Sequence, residues 1–386
     1  MSWPLHPAAY VPASARHSAQ GSACHEALFW VLSWNRRGRK SLINFENSTN
    51  FSPWRLSVAP MMDWTDRHCR FFHRLITRRT RLYTEMVTTG ALLHGDVPRH
   101  LDFDAAEHPL ALQVGGSEPA DLAAAARLAR QWGYDEINLN CGCPSERVQR
   151  GAFGACLMAE APLVRDGVAA MRDVLGNDLP VTVKHRIGID RIERYDFVRD
   201  FVGTVAEGGC SVFIVHARNA WLQGVSPKEN RELPPLRYEM VHRLKQDFPA
   251  LSIAINGGLS TGDAIAEQLQ AVDGVMIGRE AYHQPVLMAD WDARFWGDGQ
   301  APGVDGDWRL AIEEQMLAYI EAQQAAHGTP GSHITRHMLG LWNGQPGARR
   351  WRQVWSDHRR KTLPVREIAR QAHLARQALA SAAEAG

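Results

Sequence analysis

Cys143 stands in the run Ile137-Asn138-Leu139-Asn140-Cys141-Gly142-Cys143-Pro144-Ser145, where an apolar stretch gives out into a loop. A thiol just past the carboxyl end of a strand, beside Asn140 and before a proline, is placed to face a ligand. Similar polar residues close the other apolar runs: Gln113-Val114-Gly115-Gly116, Lys184-His185-Arg186, His216-Ala217-Arg218, Asn256-Gly257-Gly258 and Gly278-Arg279. Gln113 and Asn140 each carry a donor and an acceptor, which suits them to the edge of a heterocycle. Lys184 can stabilise negative charge on a ligand, or it can be a core-edge lysine paired with a carboxylate such as Glu85. His216 alone would read as a structural histidine, but it shares a rim with Lys184, Gln113 and Asn256, which favours a role in a site. Two glycine turns, Asn256-Gly257-Gly258 and Gly278-Arg279, would let backbone N–H groups approach a phosphate, with Arg279 adding positive potential.

These residues need a frame that brings strand ends together. Short apolar runs recur at 56–60, 81–86, 109–115, 136–141, 181–186, 211–217, 252–257 and 274–278. Amphipathic stretches of helical length lie between most of them: Pro119 to Trp132, Pro162 to Leu175, Tyr195 to Glu207, Tyr238 to Asp247 and Thr261 to Gln270. Near-continuous apolar strands alternating with helices imply a parallel sheet covered on both faces. Eight such units predict a (β/α)8 TIM barrel over residues 51–300, with the site at the carboxyl ends of its strands. A doubly wound open sheet is the other reading, but no G-x-G-x-x-G follows the first strand. Residues 301–386 form helical patterns from Trp308 to His327, Ser332 to Leu341 and Arg349 to Ala382, the last broken at Pro364. They read as a second, all-helical domain. Residues 1–50 lack a periodic apolar face and read as a disordered extension.

Charge is unevenly spread over a chain whose formal net charge is +1. Residues 51–335 hold 28 Lys and Arg against 37 Asp and Glu, whereas residues 336–376 hold ten basic residues against two acidic ones. An acidic body with a basic end suggests a polyanion held by the C-terminal part, or else a solvated helical face. Of the six cysteines, only Cys141 and Cys143 are close, and no second pair has zinc spacing, so no metal site is expected. Cys141 alternates with Asn138, Asn140 and Gly142 and reads as strand core. No apolar run approaches the ~18 residues of a membrane span. The short apolar stretch Ala27 to Trp34 precedes Arg36-Arg37-Gly38-Arg39-Lys40, the reverse of a signal peptide's charge order, so a cytoplasmic protein is expected.

Several long, ordered motifs carry a family resemblance. Ala59-Pro60-Met61-Met62-Asp63-Trp64-Thr65-Asp66, Asn138 to Pro144, Lys184-His185-Arg186-Ile187-Gly188, His216-Ala217-Arg218 and Asn256-Gly257-Gly258 resemble the tRNA-dihydrouridine synthases. The segment His216 to Tyr238, with Ser226-Pro227-Lys228-Glu229-Asn230-Arg231, is similar to their A subfamily. The resemblance runs from about residue 52 to 376. It implies an enzyme that uses FMN and NADPH to reduce uridines in the D-loop of tRNA, at positions 20 and 20a. It implies that FMN is held by Pro60, Met61, Met62, Gln113, Lys184, His216, Asn256, Gly257, Gly258, Gly278 and Arg279. It implies Cys143 as the proton donor and Asn140, Lys228, Arg231, Arg349 and Arg352 as tRNA contacts. Neither a membrane nor a stable protein partner is implied.

The chemistry fits the residue types. A hydride from reduced flavin adds to C6 of uridine, and C5 then needs a proton. A cysteine thiol, with a reference pKa of about 8.5, is protonated at neutral pH yet can surrender its proton to a forming enolate. Two rival readings remain at this stage. One is a flavin barrel acting on a free pyrimidine, of the dihydroorotate or dihydropyrimidine dehydrogenase kind; the other is a non-catalytic tRNA-binding or tRNA-folding module.

Overall fold

A computed structural model describes residues 51–226 and 228–384. The expected extension, residues 1–50, lies outside the described residues. Nine strands run in parallel in one sheet: β1 (Leu56–Val58), β2 (Leu82–Tyr83), β3 (Val87–Thr88), β4 (Leu110–Gly115), β5 (Glu136–Cys141), β6 (Val181–Arg186), β7 (Val212–His216), β8 (Ser252–Asn256) and β9 (Gly274–Ile277). Their order is β1-β9-β8-β7-β6-β5-β4-β2. Val58 donates to Arg81 O at 2.9 Å and Arg81 to Leu56 O at 3.1 Å, which joins β1 to β2 and closes the barrel. The run 81–86, expected as one strand, is two. β2 and β3 both pair with β4, and the chain between them leaves the ladder. There Glu85 accepts from Asp63 N–H and Thr84 Oγ1 donates to Glu85 O.

Helices cover the outside, close to the expected spans: Pro119–Trp132, Ala161–Leu175, Tyr195–Glu207, Tyr238–Asp247 and Gly262–Gln268. Strand residues alternate between two environments. Outward residues such as Leu112, Val114, Ile137, Leu139, Val183, Phe213, Val215, Ile253 and Val275 pack on the helices. Inward, Ala59, Tyr83, Ala111, Val212, Ile214, Ala254 and Met276 form a smaller apolar plug, against which Trp54 packs. Cys141 points outward and is fully buried, as its alternation with the asparagines predicts. Burial pushes its thiol pKa up, so it stays neutral and inert.

The inward face of β5 is polar instead, with Glu136, Asn138 and Asn140. Glu136 is fully buried and accepts from Trp54 Nε1 (2.7 Å), Tyr83 OH (2.7 Å) and Thr182 Oγ1 (2.5 Å), with Arg81 Nη1 at 3.3 Å. Thr182 Oγ1 accepts from Asn138 Nδ2 at 2.7 Å, and Asn138 Oδ1 accepts from Gln113 Nε2 at 2.8 Å. Gln113 Oε1 accepts from Asn140 Nδ2 at 2.9 Å. A continuous hydrogen-bonded line thus runs up the barrel interior, from the amino end of β5 to its carboxyl end.

Beyond the irregular stretch 297–305 come Gly306–His327, Gly331–Thr335, Ala348–Ser356 and Val365–Glu384. Two details differ from expectation. The predicted helix Ser332 to Leu341 ends at Thr335. The last helix breaks at Asp357, ahead of Pro364, because the Asp357 side chain accepts from Arg359 N–H and starts a new turn. These helices dock on the barrel's first loop and first helix. Tyr319 stacks on Phe71 with ring centroids 3.9 Å apart, and just past Gly331–Thr335 His337 Nε2 lies 3.0 Å from Asp66 Oδ2.

The Glu136 carboxylate anchors the interior line and compensates the buried Arg81. Glu136→Ala is expected to destabilise the protein by about 3–5 kcal/mol, the cost of leaving a buried charge unpaired. Urea denaturation of both proteins checks this; a loss below about 1 kcal/mol would show that Arg81 and the line do not depend on Glu136.

Candidate active site

The strand ends gather nearly all the expected residues. Asn140 pins the loop that carries Cys143. Its Oδ1 accepts from both Gly142 N–H (3.0 Å) and Cys143 N–H (2.9 Å). Its Nδ2 is spent on Gln113. The turn that presents the thiol is therefore built on the interior line. Cys143 is half-buried, with Ser145 Oγ 3.5 Å from its sulfur. Behind it, Gly154 has φ of +77°, and a Cβ there would stand 2.6 Å from Cys143 O. Only glycine lets the following loop fold back this closely.

Around the thiol the charge is positive. Lys184 lies two residues before the end of β6, on its inward face, and it has no ion pair among the described residues. The proposed alternative partner, Glu85, is engaged with Asp63 N–H instead. Burial first, and then Arg186, lowers the Lys184 pKa to about 7. His216 ends β7; burial, then Arg186 and Lys184, hold its pKa well below the ordinary value, so the ring is neutral at physiological pH. Arg186 and Arg231 lie within electrostatic reach of Cys143.

Asn256 ends β8 and donates to Met276 O at 2.7 Å, which locks the next strand end. Gly257, at φ of +126°, lies against His216: a Cβ there would approach His216 Cδ2 to 2.9 Å. Tyr238 OH donates to Gly257 O at 2.6 Å and fixes the Gly257-Gly258 turn. A Cβ on Gly278 would make ordinary van der Waals contacts, Ala59 Cβ at 3.8 Å and Met61 Sδ at 4.0 Å, so the bare glycine leaves room for about a methyl group between β9 and the Pro60-Met61 turn. Met61 N–H donates to Thr65 Oγ1 at 2.9 Å, while Met62 is exposed. Arg279 is held by Glu232 at 2.7 Å, both partly exposed.

The expected RNA contacts fall in three places, and the first, Asn140, is buried with its amide engaged by Gln113 and the N–H groups of Gly142 and Cys143. Lys228 and Arg231 are exposed on the loop after β7, at the barrel mouth. Arg349 is exposed on the helix Ala348–Ser356, and Arg352 on the same helix donates to Asn343 Oδ1. The basic end is less free than its composition suggests. Arg359 and Arg360 pair with Asp357, Arg370 with Glu367, and Arg366 with Glu314 and Glu321 from the helix Gly306–His327. A count over residues 336–376 misses those last two carboxylates. Arg349, Arg350 and Lys361 have no carboxylate partner among the described residues.

Sequence reasoning assigned no role to Glu136, Asn138 and Thr182, which orient Asn140, or to Arg186. The usable signal was the period-two polar pattern Glu136, Asn138, Asn140 within an otherwise apolar strand. Among the described residues no His, Cys, Asp and Glu cluster could hold a metal ion, and no helix is long and apolar enough to cross a membrane.

With its pKa near 7, Lys184 is only part-charged at neutral pH. An anion bound beside the ammonium raises that pKa, so binding draws in a proton between the free and bound values. Titrating flavin-free protein with FMN at about pH 8, in buffers of different ionisation enthalpy, is expected to show proton uptake that Lys184→Met abolishes. Well below pH 7 the uptake fades because Lys184 is already charged. Buffer-independent heats at the higher pH would contradict this placement of Lys184.

A family model described as dihydrouridine synthase matches residues 57–379. A tRNA-dihydrouridine(20/20a) synthase of Vibrio vulnificus is 57% identical over 319 residues, covering 82% of this chain and 95% of its own. That of Vibrio parahaemolyticus is 59% identical over 308 residues, covering 80% and 92%. That of Escherichia coli O6:H1 is 54% identical over 317 residues, covering 82% and 93%. Matches of this length, over a barrel with its thiol loop and cationic mouth in place, show that the chain belongs to the dihydrouridine synthase family.

Proposed function

We propose that this protein reduces the C5–C6 double bond of uridine in tRNA to dihydrouridine, with FMN as resident cofactor and NADPH as reductant, at D-loop positions 20 and 20a. The observation that carries the reading is the half-buried Cys143, aimed by Asn140 at the carboxyl end of β5, in a mouth where Lys184 has no carboxylate partner among the described residues. The donor set fits an anionic, phosphate-bearing flavin: Lys184, the Gly257-Gly258 turn, the space at Gly278, and Arg279. When bound, the flavin supplies the hydride that adds to C6 of the base.

The chain's own residues do the rest. Cys143 delivers a proton from Sγ to C5 as the enolate collapses, and water restores the proton to the sulfur afterwards. Lys184 holds negative charge near the base and the cofactor. His216, being neutral, offers a hydrogen bond without adding charge. The target base must leave its stack to enter the mouth, and Lys228 and Arg231 at the rim, with Arg349 and Arg352 on the helical part, would take the phosphates. These exposed cations favour RNA over a free pyrimidine, which needs none of them. A tRNA substrate supports the reading of a cytoplasmic protein.

Stopped-flow analysis of the two half-reactions tests the reading. Cys143→Ala is expected to keep FMN, accept electrons from NADPH at a near-normal rate and bind tRNA, while its reoxidation by tRNA falls by about 10²–10⁴-fold. Normal reoxidation in the variant would end the assignment of Cys143 as the acid.

A further inference from the structure

The loops after β5, β6 and β7 are tied together by polar groups that the chemistry above does not use. Arg186, at the end of β6, is almost wholly buried. Its Nη1 donates to Asn219 O and to Asn230 O, both at 2.9 Å, and its Nε to Gly142 O at 3.2 Å. It has no carboxylate partner among the described residues. Gln149, on the short helix Glu146–Arg150, donates through Nε2 to Pro144 O (2.7 Å) and to Leu222 O (2.8 Å). Asn230 completes the tie: its Nδ2 donates to Trp221 O at 2.7 Å and its Oδ1 accepts from Trp221 N–H at 2.8 Å.

The two carbonyls that flank Cys143, those of Gly142 and Pro144, are thus each fastened to the segment 219–230. That segment contains Lys228 and runs into Arg231. A buried guanidinium satisfied only by carbonyls is costly for stability. Its fork nevertheless meets three backbone segments at once, which an ammonium cannot do.

We propose that Arg186 and Gln149 are positioning residues that couple the RNA-facing loop 219–231 to the Cys143 loop, so that the thiol is aimed only while that loop is seated. This rests on the reading of Cys143 as the acid. The bracket acts on one half-reaction: it shapes proton delivery and leaves cofactor reduction alone.

The test uses the flavin-loaded protein with Gln149→Leu, which keeps the bulk and removes the donor, and Arg186→Lys. Both variants are expected to keep FMN and to be reduced by NADPH normally. Reoxidation at saturating tRNA is expected to fall by about 10²-fold, in kcat and not in KM, as for a reacting group misplaced by about 1 Å. Alkylation of Cys143 by iodoacetamide, followed on its own peptide by mass spectrometry, is expected to speed up as the loop loosens. Wild-type reoxidation in Gln149→Leu, or unchanged alkylation of Cys143 in both variants, overturns the coupling. Should Cys143→Ala also reoxidise normally, the acid assignment has failed; the alkylation rates, which need no tRNA, then decide the bracket alone.

Discussion

The buried carboxylate of Glu136 gives the barrel interior its direction. A carboxylate only accepts hydrogen bonds, so Thr182 must donate its hydroxyl proton to it and receive Asn138 Nδ2 in return. Asn138 is then left with its oxygen facing Gln113 Nε2, Gln113 with its oxygen facing Asn140 Nδ2, and Asn140 with its oxygen facing the N–H groups of Gly142 and Cys143. Each amide has one orientation that satisfies both neighbours, and a flip at any point would oppose donor to donor. Fully satisfied networks of this kind rigidify a core. The loop that offers the thiol is therefore set by a charge at the opposite end of the strand.

At the mouth the balance is reversed. Lys184, Arg186, Arg218 and Arg231 act on His216 and on one another, and the described residues provide little carboxylate to offset them, Glu232 on Arg279 being the clear case. Burial first, and then the crowded positive charge, lowers the pKa of Lys184 and keeps His216 neutral. An anionic cofactor and a phosphate-rich substrate relieve the same strain. The same electrostatics favour anionic groups bound at the mouth.

Much of this was legible in the sequence because burial leaves a mark on residue type. Outward strand positions are mostly Val, Ile and Leu, so the eight strand regions and five of the covering helices could be placed closely. The polar strand ends marked the mouth, and the expected site residues on the barrel do cluster there. What escaped was pairing between distant segments. Nothing local shows that Gln149 reaches Leu222, that Arg186 collects three carbonyls, or that Glu314 and Glu321 neutralise Arg366. The split of 81–86 into two strands followed from Glu85 turning toward Asp63, again a contact across the fold.

The central claim is that this chain makes dihydrouridine in tRNA, with Cys143 aimed by the Asn140 turn. Mapping dihydrouridine in tRNA from cells lacking this protein tests it most directly, with positions 20 and 20a, those named for its relatives, in view. The account predicts that the modification disappears there and returns when the wild-type protein is restored, but not when Cys143→Ala is. Dihydrouridine persisting at both positions in the deleted strain would contradict it.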